Sequence, residues 1–352
     1  MKLLFVTQKI DERDPVLGFV VGWLSTIVRH FEVVSVVCLR RGEAKLPLGV
    51  KVYSLGKEHG VSRTVYIYRF FRLIASLRSQ YDGVFVHMNP EYVILGGLFW
   101  RLLGKKVVFW YNHTFGDWRA NLAMRLSDVI CHTSPYSFSA RTAKSVRMPA
   151  GIDTSVFRPK DIPRTTDILY LGRISEVKKI HVLIEAVKII YQKGKFFPTL
   201  KIVGPTVTDE DRKYLNKLFD LRAVAISVAR ANQPARALID ISDAPVLHKE
   251  TPKVFGAALV CVNLTPMGNY DKTVLESAAC GSIPIVSSVA FADAFPKTLF
   301  FEEGNPESLA RTIENVLLME ISDRVRIIRD ASAYVDANHS LDRLALEIRK
   351  LY

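Results

Sequence analysis

The run 272–287, KTVLESAACGSIPIVS, sets a lysine and a carboxylate one turn apart at the start of a short helical pattern. The pattern predicts a helix carrying Glu276, stopped by Gly281 and followed by a buried strand from Pro284. A helix N-terminus offers unpaired backbone N–H groups and a positive dipole end, so it suits a phosphate. Lys272 adds a full charge there, and Glu276 supplies a carboxylate able to grip vicinal hydroxyls such as a ribose edge. Phosphate plus ribose points to a nucleotide-bound ligand. An ordinary buried helix before a core strand would show the same apolar pattern.

A second segment bears on that choice. Residues 170–179, YLGRISEVKK, follow the apolar strand pattern 167–171. Gly172 is expected to let the chain turn at the strand end. Arg173 and Lys178 then share one loop and can converge on one anion, arginine as a planar fork and lysine as a point charge. Residues 181–191 have helical periodicity, with Leu183, Ile184, Val187 and Ile190 on one face.

Together these segments resemble the retaining glycosyltransferases of the GT-B fold, in particular the large GT4-type (group 1) family. Gly172, Arg173 and Lys178 match that family's Gly-Arg-(x)4-Lys loop, which binds the donor diphosphate. Glu276 matches the second Glu of its Glu-(x)7-Glu motif, and Ala279-Cys280-Gly281-Ser282-Ile283-Pro284 matches the run that follows. Residues 148–159, MPAGIDTSVFRP, resemble its interdomain segment. One position departs from the pattern. The family's first Glu, which contacts the donor sugar, falls on Gly268.

The resemblance implies a donor site built from Gly18, Gly172, Arg173, Lys178, the loop Gly268, Asn269, Tyr270, Asp271, Lys272 and Thr273, and Glu276. Gly18 lies in the loop after the first strand, which approaches the donor phosphates in relatives. His113 matches a histidine that follows a strand of the N-terminal half and supports the reaction. The catalytic set expected is therefore His113, Arg173 and Lys178. Glu91 and Asp117 are further candidates without an assigned role. The base pocket is expected near Gly204 and between Ala229 and Pro234. No metal and no other cofactor is expected, because the leaving diphosphate would be stabilised by Arg173, Lys178 and the helix end.

These groups need a frame. A chain of 352 residues with 49% hydrophobic content suits two domains with buried sheets. Strand-like runs at 2–7, 33–38, 83–87, 106–111, 129–132, 167–171, 201–203, 260–264 and 284–287 alternate with helical stretches. That alternation predicts an α/β chain of βαβ units with parallel sheets covered on both faces. The expected fold is two Rossmann-like parallel-sheet domains facing across a cleft, the GT-B arrangement. The N-terminal, acceptor-side domain is expected over 1–150 and the nucleotide-sugar-binding domain over 151–339. Residues 340–352 should form a C-terminal helix crossing back to the N-terminal domain. Pro149, Gly151, Pro159 and Pro163 punctuate the boundary.

Four cysteines, Cys38, Cys131, Cys261 and Cys280, lack metal or redox spacing and read as buried thiols in a reducing compartment. The apolar start is short and soon charged, so it reads as a strand and not a signal sequence. No stretch is apolar for long enough to span a bilayer of ~30 Å.

Charge is uneven. The whole chain carries +13, and residues 1–150 hold 21 Lys+Arg against 10 Asp+Glu. Residues 61–80, VSRTVYIYRFFRLIASLRSQ, mix arginines with aromatic side chains as an interfacial amphipathic helix does. An anionic membrane surface is therefore the expected partner of this segment, and no nucleic-acid module is visible. The expected activity is retaining transfer of a sugar from a UDP- or GDP-linked donor to a glycan or lipid-linked acceptor. Its place is the cytoplasmic membrane face. The rival is a catalytically silent sugar-nucleotide-binding protein or partner subunit, which the glycine at 268 motivates.

Overall fold

The structure, a computed structural model, describes residues 1–14, 16–231 and 238–352. It divides into two compact units, Met1–Asp153 with His339–Tyr352, and Thr154–Asn338.

In the first unit the strands are β1 (Lys2–Ile10), β2 (Val33–Arg41), β3 (Val50–Ser54), β4 (Gly83–His87), β5 (Lys106–Trp110), β6 (Val129–His132) and β7 (Ser145–Arg147). They form one parallel sheet in the order β3-β2-β1-β4-β5-β6-β7. The helices are α1 (Phe19–Ile27), α2 (Arg63–Ser76), α3 (Pro90–Leu102) and α4 (Trp118–Leu126). Successive strand side chains point to opposite faces, and β1 separates two cores accordingly. Leu3 and Phe5 join Trp23, Phe85 and Trp110 on one face. Leu4 and Val6 join Phe70, Tyr92 and Trp100 on the other. Both faces are covered, which is why β1 reads as a continuous apolar run.

In the second unit β8 (Thr166–Leu171), β9 (Leu200–Val203), β10 (Ile239–Ser242), β11 (Ala258–Asn263) and β12 (Ile283–Val286) form a parallel sheet ordered β10-β9-β8-β11-β12. Its helices are α5 (Ile180–Gln192), α6 (Asp209–Arg230), α7 (Thr251–Gly256), α8 (Lys272–Ala279), α9 (Pro306–Leu317) and α10 (Ile321–His339). The last helix, α11 (Leu341–Lys350), lies in the first unit, where Leu341, Leu344, Ala345 and Ile348 enter the core around α1.

The chain starts each sheet near its middle, winds to one edge, then returns to the other side. The reversal falls between β1 and β4 in the first unit and between β8 and β11 in the second. Open α/β sheets bind ligands at such switch points, beyond the carboxyl ends of the strands. The loops after β8 and β11 therefore flank the ligand edge of the second unit.

Three strands lack the apolar runs that marked the others, and all three are sheet edges: β3 (VKVYS), β7 (SVR) and β10 (IDIS). An edge strand has one partner and needs less apolar sequence. β1 also runs on to Ile10, past the polar Gln8 and Lys9; Lys9 there pairs with Asp11 and Asp14 at 2.9 and 2.8 Å.

Candidate active site

Glycine sets the backbone at the carboxyl end of β8, at a different residue from the one expected. Gly172 is not in the left-handed region; its N–H donates to the Val203 carbonyl at 3.0 Å. The special position is Gly204, at φ +152, where a methyl group would overlap the Gly172 carbonyl oxygen. The two loop starts thus touch backbone to backbone, which only glycine permits.

The two cations of the first loop are directed to two different carboxylates. Arg173 donates from Nε (2.9 Å) and Nη2 (2.8 Å) to Asp211 Oδ2, with Asp211 6% exposed and Arg173 46%. Asp211 also accepts the backbone N–H groups of Val207 and Thr208 and closes a capping box with Thr208 at the start of α6. Burial alone would raise its pKa, but these donors and Arg173 bring it below the usual carboxylate value. Arg173 is thereby anchored by one edge of its guanidinium.

Lys178 turns instead toward α8. Its Nζ lies 2.9 Å from Asp271 Oδ2 and 3.2 Å from Thr265 Oγ1. Asp271 is the N-cap of α8 and accepts from Thr273 through both N–H (3.2 Å) and Oγ1 (3.0 Å). Burial works against the charged carboxylate, yet the adjacent Lys178 ammonium and the Thr273 bonds hold it well below the usual range. Asp271, expected in the donor site from the resemblance, is engaged as a cap and counter-ion. An ammonium has three donors, of which this pairing uses two.

Lys272 opens α8, and its Nζ is buried; burial brings its pKa down to about 7, against which Glu276 works to raise it. Glu276 is itself buried and lies 3.2 Å from His248 Nε2. His248 in turn packs on Phe157, at 5.0 Å between ring centroids. The loop 266–271 is pinned at three places. Glu303 accepts the Met267 N–H at 2.8 Å while pairing with Lys179, Ser288 donates to the Asn269 carbonyl at 2.7 Å, and Tyr270 stacks on Phe291 at 4.3 Å. Gly268 sits at φ +85, in the region that side chains rarely adopt. The backbone itself favours glycine where the resemblance leads one to expect glutamate.

In the first unit, Gly18 precedes α1; a methyl there would come 2.7 Å from the Asp14 carbonyl oxygen, so its smallness serves the loop's own packing. His113 follows β5, exposed but met edge-on by Tyr111 at 5.1 Å, and burial of part of the ring lowers its pKa. Asp117 is the N-cap of α4, accepting from Arg119 and Ala120. Glu91 lies 3.5 Å from Arg119.

The second unit thus gathers Arg173, Lys178, Asp271, Lys272, Thr273 and Glu276 on the loops and helix after β8 and β11. Gly18 and His113 belong to the other unit. Sequence reasoning missed Asp211, His248, Thr265 and Glu303. Only Asp211 had a signal, in the capping-box spacing Thr208-x-x-Asp211. Of the expected base pocket, Gly204 is placed as above, whereas residues 232–237 lie outside the described residues. Cys38, Cys131, Cys261 and Cys280 are buried free thiols, all with pKa raised by burial. No group of three His, Cys, Asp or Glu side chains among the described residues can hold a metal ion.

Comparison with known proteins bears on the fold. Residues 165–318 match the family of glycosyl transferases group 1. HepE of Anabaena, solved in complex with UDP, superposes with a TM-score of 0.75 at 14% identity, covering 100% of this chain and 99% of that one. Sucrose-phosphate synthase of Thermosynechococcus elongatus gives 0.72 at 14% identity, covering 99% and 98%. An E. coli trehalose-6-phosphate protein bound with UDP-2-fluoro glucose gives 0.75 at 11% identity, again covering 99% and 98%. In sequence, one of the subunits of phosphatidylinositol N-acetylglucosaminyltransferase from Arabidopsis thaliana is 22% identical over 306 residues. The match takes in 79% of this chain and 64% of that protein, so the chain spans less than two thirds of the relative's length. The fold is that of the GT-B glycosyltransferases. The match to the glycosyl transferases group 1 family falls within the second unit.

Proposed function

We propose that this protein is a retaining hexosyltransferase that moves a sugar from a nucleotide-diphosphate donor to a glycan or lipid-linked acceptor at the cytoplasmic face of a membrane. The observation that carries the reading is the convergence of Lys178, Asp271 and Lys272 at the start of α8, with Glu276 one turn further on. The UDP and UDP-2-fluoro glucose held by the structural relatives favour a UDP-linked donor over a GDP-linked one.

As the bond from the anomeric carbon to the diphosphate breaks, negative charge grows on the leaving oxygen. Arg173, Lys178, Lys272 and the N–H groups opening α8 would bind that charge. Glu276, held by His248, would take the ribose hydroxyls, and His113 would contribute from the acceptor side. The acceptor hydroxyl would attack the face that the diphosphate leaves, which retains the anomeric configuration. The departing phosphate would take its proton, so no second carboxylate is needed. The reading needs no metal.

Support for the membrane comes from α2. Tyr68 and Phe71 are exposed beside the exposed Arg63 and Arg72, while Phe70 and Ile74 are buried. No helix among the described residues is long and apolar enough to cross a membrane.

The left-handed Gly268 keeps the second reading alive, a protein that binds sugar nucleotides without turning them over. Mass-spectrometric screening against a panel of UDP- and GDP-sugars, with membrane extract as acceptor source, separates the two. Release of nucleoside diphosphate from one donor supports the transferase and names the sugar. Tight binding with no release overturns it in favour of the silent protein.

A further inference from the structure

The second unit contains a cavity of about 560 Å³, and none of the loop residues that follow β8 or β11 line it. One wall is a face of α10, where residues 325, 328, 329, 332, 333 and 336 recur at helical spacing. The facing wall is Thr154, Phe157, Arg158 and Pro159, with Ala279, the last residue of α8. Val325 is 57% exposed and Ile328 half-buried, so α10 leaves apolar surface open to the cavity. Such a volume, with apolar walls and a few polar groups, fits a small-molecule site.

The polar groups are chiefly guanidiniums. Arg158 is exposed and enters no ion pair among the described residues, and Arg329 meets only its exposed neighbour Asp330, at 3.0 Å. Arg324, one turn before Ile328, has its Nε buried with no partner among the described residues. Beside it stands Arg164, which donates to the carbonyls of Ala258 and Gly281. Burial, and then the Arg324 charge, hold the Arg164 pKa below the ordinary arginine value. A methyl at Gly281 would stand 3.6 Å from Ile328, 3.7 Å from Pro159 and 3.9 Å from Arg164, so Arg164 and Arg324 sit at one end of the cavity. The carbonyls ending α8 are already taken, that of Gly281 by Arg164 and that of Ala279 by Ser332 Oγ at 3.4 Å. The carboxylate in the lining, Asp336, accepts from Thr154 at 2.7 Å. What the cavity still offers is donors.

Two of its walls lead to the paired site. Phe157 packs on His248, which holds Glu276, and Ala279 lies three residues beyond Glu276 on α8. We propose that this cavity is a second ligand site, taking a small organic phosphate whose phosphate meets Arg158 and Arg324 and whose apolar body lies along Phe157, Pro159 and Ile328, and that its occupation tightens nucleotide binding. Several guanidinium donors suit a phosphate dianion better than a carboxylate, and inorganic phosphate has no use for the apolar walls. A ligand seated on Phe157 holds that ring against His248 and so keeps Glu276 set for the ribose. The coupling rests on the glycosyltransferase reading, since Glu276 is the group it acts upon; the cavity does not.

The test is calorimetric titration of the full chain, saturated with UDP, with phenyl phosphate as the probe. Inorganic phosphate and benzoate are the comparison ligands, and UDP is titrated separately with and without the probe. Arg158→Gln alters an exposed, unpaired side chain, and Ala333→Trp fills the cavity from an exposed position on α10. The expected result is probe binding, weakened at least about tenfold by either substitution, with both comparison ligands much weaker. The probe should tighten UDP binding about fivefold or more in the unaltered protein and leave it unchanged in the variants. Without the probe, UDP binds all three proteins equally. Equal probe binding by all three overturns the proposal, as does benzoate or inorganic phosphate binding as tightly as the probe. Probe binding that leaves UDP affinity unchanged or weakens it overturns the coupling. Absence of probe binding while UDP still binds sinks the cavity assignment alone, whereas absence of UDP binding sinks the glycosyltransferase reading.

Discussion

The two sheets present ligand edges of similar build and handle their charges in opposite ways. In the second unit Arg173, Lys178 and Lys179 each hold a carboxylate of the same unit, namely Asp211, Asp271 and Glu303, and Glu276 is held by His248. In the first, Arg63 and Arg72 stand exposed and unpaired among the described residues, and the net charge of residues 1–150 is +11, from 21 Lys+Arg and 10 Asp+Glu. A site whose cations are already fixed by counter-ions loses little on ordering a compact diphosphate. A site whose cations stand free suits a surface of variable geometry, such as lipid head groups. Net charge alone therefore locates neither site; the pairing of each cation does.

The largest effect should come from the backbone contact beneath the paired site. Gly204→Ala should destabilise the second unit by about 3 kcal/mol or more, since the new methyl meets a carbonyl and not a movable side chain. Urea unfolding measures this, and a near-neutral result would mean that the β8 and β9 loops separate easily.

Lys178→Ala should cost about 1.5–3 kcal/mol, leaving Asp271 without its cation, and should also abolish measurable UDP binding. Adding Asp271→Ala should restore only part of the stability, because the buried charge goes but α8 loses its N-cap, and should restore none of the binding. Recovery of binding in the double variant would show that Lys178 serves only its counter-ion.

Restoring glutamate at Gly268 should cost about 1–2 kcal/mol through its left-handed backbone and bring no gain in turnover. Faster nucleotide release by Gly268→Glu would break the argument that the loop is shaped around glycine.

Lys272 gives a pH dependence. Its pKa in the free protein is about 7, well below the ordinary lysine value, and an anionic diphosphate favours the charged form. Above pH 7 binding must therefore take up a proton, and UDP affinity should fall as pH rises from 7 to 9. The same depression makes folding stability rise with pH between 7 and 10.5, because the unfolded lysine holds its proton over that window. Lys272→Met should bind UDP weakly with a flat profile. A flat profile in the unaltered protein would refute the link.

The smallest effect belongs to the open site. Arg72→Gln should weaken binding to anionic vesicles by about 1 kcal/mol, and moderate salt should shrink that difference. Arg69, an equal candidate in sequence, is a poorer test, because it is half-buried and donates to the Leu55 carbonyl at 3.1 Å.

This division also marks what the sequence revealed. The central strands and the α8 segment were legible because continuous apolar runs, a terminating Gly281 and a lysine–glutamate spacing are local signals. The edge strands β3, β7 and β10 were not, since each carries little apolar sequence, whereas β12, an edge that is apolar and buried throughout, was. The counter-ions escaped for another reason. Asp211 and Glu303 lie 38 residues from Arg173 and 124 from Lys179, and nothing in a linear pattern records which carboxylate a lysine will meet. His248 likewise became visible only when folding set it against Glu276.

The path of the chain governs its birth on the ribosome. The first unit is interrupted, with residues 1–153 made early and the α11 residues Leu344 and Ile348 made only after the whole second unit. At ordinary synthesis speeds the missing helix emerges on the order of 10–40 s after the rest of the first unit. Throughout that interval Trp23 and its neighbours on α1 lack the side chains that cover them in the finished protein. The nascent chain therefore carries an apolar surface that a chaperone or a membrane can occupy first, and removal of residues 341–352 would make that condition permanent.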